Sequence, residues 1–180
     1  MRALAALSAI LLVVSCAGEA PAPAAATPPS PVIVAGACPF EGCQYGEWVA
    51  VAATPMYSAV NGTLLPANIQ AGERVQALSG EIHAVPRKAT VTRVYRSDED
   101  QGIHVGSVVY FVHPLGEGAA RIWHEGRTKD GSLDLALQFE GETPTTRNRS
   151  WVWWVNVRRA DGTMGWLKNP EGFRGMDRLG

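Results

Sequence analysis

Apolar side chains are distributed along this chain in three ways, and each predicts a different kind of structure. After Arg2, residues 4–14 form an apolar run broken only by Ser8. That is too short to span a bilayer, which takes about 20 residues, and fits the roughly 7–15 of a cleaved export signal. Residues 17–31 then hold no aromatic residue and no Val, Leu, Ile or Met. Such a stretch buries too little apolar surface to offset the entropy of ordering it, and its prolines favour extended backbone. It reads as a spacer.

From residue 44 onward the pattern changes to short β-branched and aromatic runs at 48–53, 74–78, 89–95, 107–113, 151–159 and 164–167. Turn-forming pairs separate them: Asn61-Gly62, Ala71-Gly72, Gln101-Gly102, Asp130-Gly131 and Asp161-Gly162. The last lies between two strong runs and is the clearest hairpin signal. Helical spacing is hinted at only over 132–139, a span too short to carry a fold. The chain is therefore expected to be all-β, a small barrel or sandwich. A weak internal echo links residues 71–78 with 105–112, each a glycine turn followed by an apolar strand. It is compatible with two small barrels or with one elaborated barrel.

Val13-Val14-Ser15 stands directly before Cys16, so residues 1–15 resemble a bacterial lipoprotein signal. The resemblance implies cleavage before Cys16 and acylation of that cysteine with a lipid such as palmitate. Residues 16–37 would then tether a domain spanning 38–180 to a membrane of the bacterial cell envelope. The plainer alternative is an ordinary signal cut near Ala17-Gly18. Two cysteines remain, Cys38 and Cys43, around a turn-like Pro-Phe-Glu-Gly. In an exported chain a disulfide is the expected state, against a metal site that lacks neighbouring ligands or a nucleophile that lacks a paired base. A formal charge of −1 argues against a nucleic-acid partner, because such domains carry a basic excess.

The run Trp153-Trp154-Val155-Asn156-Val157, the Asp161-Gly162 turn and the returning Gly165-Trp166-Leu167 resemble the closing hairpin of bacterial SH3-like (SH3b) domains. Gly72-Glu73-Arg74-Val75 is similar to the opening of an earlier strand in those barrels. The Cys38–Trp48 segment looks like the lead-in to such domains in lipoproteins. The resemblance implies an SH3-like barrel that binds rather than catalyses, with peptidoglycan or an envelope protein as partner. The stretch 114–150 departs from a single such domain, as an insertion or part of a second barrel, with a subdivision near 97–106.

Candidate binding residues follow from the aromatic run. Strand alternation puts Trp151 and Trp153 on one face with Val155 and Val157, and Trp154 on the other with Arg158. Trp154 is either covered by a neighbouring loop, with 114–150 the nearest candidate, or part of an exposed aromatic surface for sugar rings or peptide. Trp166 and Trp123 come next, Trp166 as a core residue. Residues 145–180 hold seven basic and three acidic residues, and Arg149 and Arg158 flank the tryptophans. They suit a carboxylate-bearing ligand, unless they pair internally. His104, His113 and His124 are spaced nine and eleven apart and form no metal motif, and no catalytic motif or cofactor signature is present. The expectation is an envelope lipoprotein with a binding domain. The alternative is an assembly role through protein contacts, without wall binding.

Overall fold

The fold follows from a computed structural model that describes residues 27–132, 135–143 and 148–179. Residues 1–26, with the signal, Cys16 and most of the spacer, lie outside the described residues. The chain is all-β, built from two antiparallel sheets. The first contains β1 (Val32–Ala35), β2 (Gly46–Ala50), β3 (Arg74–Ala84), β9 (Trp151–Arg159), β10 (Met164–Lys168) and β11 (Phe173–Arg174). The second contains β4 (Arg87–Arg93), β5 (Val108–Gly116), β6 (Ala119–His124), β7 (Arg127–Gly131) and β8 (Ala136–Phe139). A single helical turn, α1 (Arg96–Glu99), interrupts the β4–β5 connection.

The first sheet runs β10-β9-β3-β2-β11, and the second runs β7-β6-β5-β4-β8. These are the same order in chain terms. In each, one strand is followed by a long loop (51–73 or 94–107) and then a three-strand meander. A fifth strand returns to pair with the first. The loops close identically. Ala50 N–H donates to the Glu73 carbonyl at 3.0 Å, and Gly72 N–H donates back to Ala50 at 2.8 Å. Val91 repeats this with Ser107 and Gly106 at 2.9 and 2.8 Å. Gly72 and Gly106 both take positive φ, +82° and +90°, which costs a residue without Cβ little. The echo between 71–78 and 105–112 is thus the same loop-to-strand corner built twice.

Both sheets are forced to curl. Five peptide steps from Gly131 to Ala136 reach at most about 17 Å. The outer strands of a flat five-stranded sheet lie about 19 Å apart, so β7 and β8 must approach each other. Five steps also join Lys168 of β10 to Phe173 of β11, with the same consequence.

The second sheet is inserted between β3 and β9, which pair directly along their length. The insertion is therefore 85–150, not 114–150, because β4 and β5 leave the first sheet as well. Residues 97–106 are no boundary but the loop inside the second sheet. Two further expectations change. Val32–Ala35, read as tether, is a strand on the second half of β3. Its Val32 and Val34 are buried and Ile33 exposed, so three aliphatics suffice to join a sheet edge. The helical hint over 132–139 resolves into β8, where Leu137 and Phe139 pack on the second core.

Trp48, Val75, Ala77, Ile82, Trp153, Val155, Val157 and Leu167 fill the concave side of the first sheet. A smaller core of Ala89, Val91, Ile103, Val109 and Ile122 fills the second. The sheets meet where Val112 and Trp123 pack on the first core. There Gly116 lies so close to the 38–43 loop that a Cβ would sit 2.8 Å from the Glu41 nitrogen.

Candidate functional site

At the end of β9 where the chain re-enters the first sheet, three segments enclose a cleft of about 350 Å³. Pro39 and Phe40 form one wall, from the loop closed by Cys38 and Cys43, whose sulfurs are at bonding distance and whose Cα atoms are 5.5 Å apart. Trp151 and Trp153 supply the floor, and Asn169–Gly172, the β10–β11 link, the opposite wall. Trp153 is only 3% exposed and fixed from every side. Its indole N–H donates to the Ala37 carbonyl at 3.0 Å, and Phe40 meets its ring edge-on at 5.9 Å. The phenol of Tyr45 donates to the same carbonyl. Burial raises the Tyr45 pKa, against the opposing hydrogen bond with Trp153, and keeps the phenol a neutral donor.

Trp151 is partly exposed at the rim, with the Arg149 guanidinium 5.3 Å above its ring. Arg149 also reaches Glu171 at 3.3 Å, a pair whose carboxylate is largely in water and therefore contributes little. Asn169 adopts φ +46°, a left-handed conformation that asparagine tolerates. Its backbone N–H donates to the Trp153 carbonyl at 2.7 Å, and its side-chain oxygen accepts from Trp153 N–H at 2.9 Å. That oxygen being used, Asn169 lines the cleft with an amide NH₂ that has no protein partner among the described residues. The site thus offers a rigid apolar floor, a neutral donor and a cation. It suits an extended segment with a small apolar side chain, a carbonyl and a carboxylate.

The structure brings Trp151, Trp153 and Arg149 together and separates the other two candidates. Trp154 is 2% exposed on the opposite face. It is covered not by 114–150 but by Tyr57 of the 51–73 loop, edge-on at 5.3 Å, with Lys168 above its ring at 5.7 Å. Arg158 stands exposed near the far end of β9. Trp123 packs between the sheets, and Trp166 is partly buried in β10. Phe40, Asn169, Pro170 and Met176 escaped sequence reasoning. Phe40 was legible only as part of the turn between the two cysteines, and the Asn169-Pro170 pair is a turn signal that could have drawn attention to the opposite wall.

The histidines lie apart. His113 is buried between the sheets, its Nδ1 2.6 Å from the Pro114 carbonyl. His124 sits between the carbonyls of Val108 and Gly102. Among the described residues no three His, Cys, Asp or Glu side chains gather as a metal site requires. Set against known proteins, the chain matches no family model, no curated protein and no solved structure.

Proposed function

We propose that this chain is a lipid-anchored binding protein of the bacterial cell envelope, with Cys16 as its anchor. Its SH3-like first sheet holds a carboxylate-bearing peptide of the peptidoglycan wall in the Trp151–Trp153 cleft. The observation that carries the reading is the cleft itself: a fixed indole floor, an unpartnered Asn169 amide and a half-buried Arg149 on the Trp151 ring, at one end of the first sheet. A proline- and alanine-rich spacer before that sheet supports attachment at a distance, since fifteen extended residues reach roughly 45 Å. The resemblance to SH3-like hairpins is supported by the pairing of β9 with β10 across Asp161-Gly162, and by the return of a fifth strand to the first. Fold alone does not set a ligand. The test is co-sedimentation of the chain, expressed without its first sixteen residues, with purified sacculi. Retention that drops at least about tenfold in Trp151→Ala supports wall binding, the loss expected for an aromatic anchor at an interface. Wild-type protein left in the supernatant defeats it and leaves protein partners, sought by crosslinking in cells.

A further inference from the structure

At the other end of β9, about 23 Å from Trp151 along the strand, the outer face of the same sheet carries a polar groove of about 380 Å³. Strand register builds it. Glu47 of β2, Gln76 of β3, Arg158 of β9 and Met164 of β10 are successive cross-strand partners, and all four point away from the core. Arg74, two residues before Gln76, shares that face. Arg159 lines the groove at its end.

The three guanidinium groups differ in what they are already doing. Arg159 is bidentate on Glu73 at 2.6 and 3.0 Å, and Glu73 is itself held by the Gln70 N–H at 2.9 Å. Arg74 is paired with Glu47. Arg158 has no carboxylate partner among the described residues, and neither does the Gln76 amide beside it have a hydrogen bond. Two arginines are thus anchored by their own carboxylates, and between them stand a free planar fork and a free amide donor. Counting Glu47 and Glu73, the groove keeps one net positive charge, with the exposed Asp161 carboxylate of the following turn acting on Arg159 from outside it.

We infer that this groove is an oxyanion site, in which Arg158 and Gln76 hold a phosphate or carboxylate group while Arg74 and Arg159 shape the field around it. The chemistry suits Arg158: a guanidinium presents parallel N–H donors that match two oxygens of one phosphate or carboxylate, which a lysine cannot do. One exposed contact of this kind is weak, with a Kd on the order of millimolar. Its use is as a second foothold. A polymer carrying regularly spaced anions, seated in the cleft at one end of β9, would gain avidity from a charge held at the other. The site does not depend on the cleft reading and is tested apart from it.

The experiment is a titration of the isotope-labelled chain, without its first sixteen residues, with inorganic phosphate. Arginine side-chain and backbone NMR signals are followed at about 0.15 M salt, where unspecific surface attraction is screened. A saturable shift confined to residues near 74–76 and 158–160, absent in Arg158→Gln and weakened in Arg158→Lys, supports the site. Signals of Trp151 and Asn169 should stay still. A shift that never saturates, spreads over all arginines or persists in Arg158→Gln overturns it. Flotation with vesicles of anionic phospholipid and sedimentation with sacculi then identify the source of the anion. Arg158-dependent retention on either one supports the assignment, and Arg158-independent behaviour on both contradicts it.

Discussion

Gly80 shows how narrowly single residues are specified. It lies mid-strand in β3, where a Cβ would fall 2.4 Å from the Tyr45 hydroxyl, 2.7 Å from the Trp153 indole nitrogen and 2.9 Å from the Trp154 carbonyl. Gly80→Ala should destabilise the fold by about 1–3 kcal/mol, the usual cost of overpacking, and also loosen the cleft floor through Trp153. Urea unfolding measures the first effect, and an unchanged midpoint would contradict it. His113 makes a pH-dependent case. Burial lowers its pKa, and Arg121 adds to that, outweighing the Pro114 carbonyl and Asp130, which pull upward. The folded protein therefore prefers the neutral ring. The associated stability is fully present above the unfolded histidine pKa of about 6.5 and is lost as pH falls below it. Relative to His113→Gln, the wild type should lose up to about 1.4 kcal/mol per pH unit in that window. Parallel curves for the two proteins would refute the sign.

Strands were far more legible than the cleft they frame. The alternation of β9 placed Trp151, Trp153, Val155 and Val157 on one face, and three of these four are buried in the first core. Trp154 resisted reading because the other face of β9 is covered by Tyr57, almost a hundred positions away in sequence. The cleft resisted for the same reason: Phe40, Trp151 and Asn169 meet only once β1–β3 and β9–β11 have paired. No local period records that. β1 was hidden in a different way, since three aliphatics after a proline-rich spacer look like its tail. Burying Val32 and Val34 contributes at least about 3 kcal/mol by area, so a chain starting at Cys38 should be markedly less stable than one starting at Thr27. Equal melting temperatures would show that β1 adds nothing to the sheet.

At the scale of the whole molecule, one strand order occurs twice, with the second sheet inserted at the β3–β9 connection of the first. The legible trace of this was the pair of glycine corners at Gly72 and Gly106. Most other corresponding positions differ too much in side chain for the repetition to appear in sequence. The arrangement puts the cleft near the joint: Phe40 and Glu41 are neighbours in the disulfide loop, and Gly116 of the second sheet packs on Glu41. Replacing Gly116 by Val should therefore weaken ligand retention as well as stability, read by sedimentation and by urea unfolding on the same samples. Outside the described residues, Cys16→Ser should release the protein from membranes into the soluble envelope fraction. Persistent membrane attachment of that variant would rule out the lipid anchor.

The central claim is that ligand is held at the Trp151 cleft and not by the tryptophans of this strand in general. It is tested most directly by comparing Trp151→Ala with Trp154→Ala in one sacculus-binding isotherm, with unfolding curves for both. Trp151→Ala should lose binding at least about tenfold while its unfolding midpoint stays close to wild type. Trp154→Ala should lose about 3–5 kcal/mol of stability as a buried aromatic, yet bind normally while folded. Wild-type binding by Trp151→Ala would contradict the account.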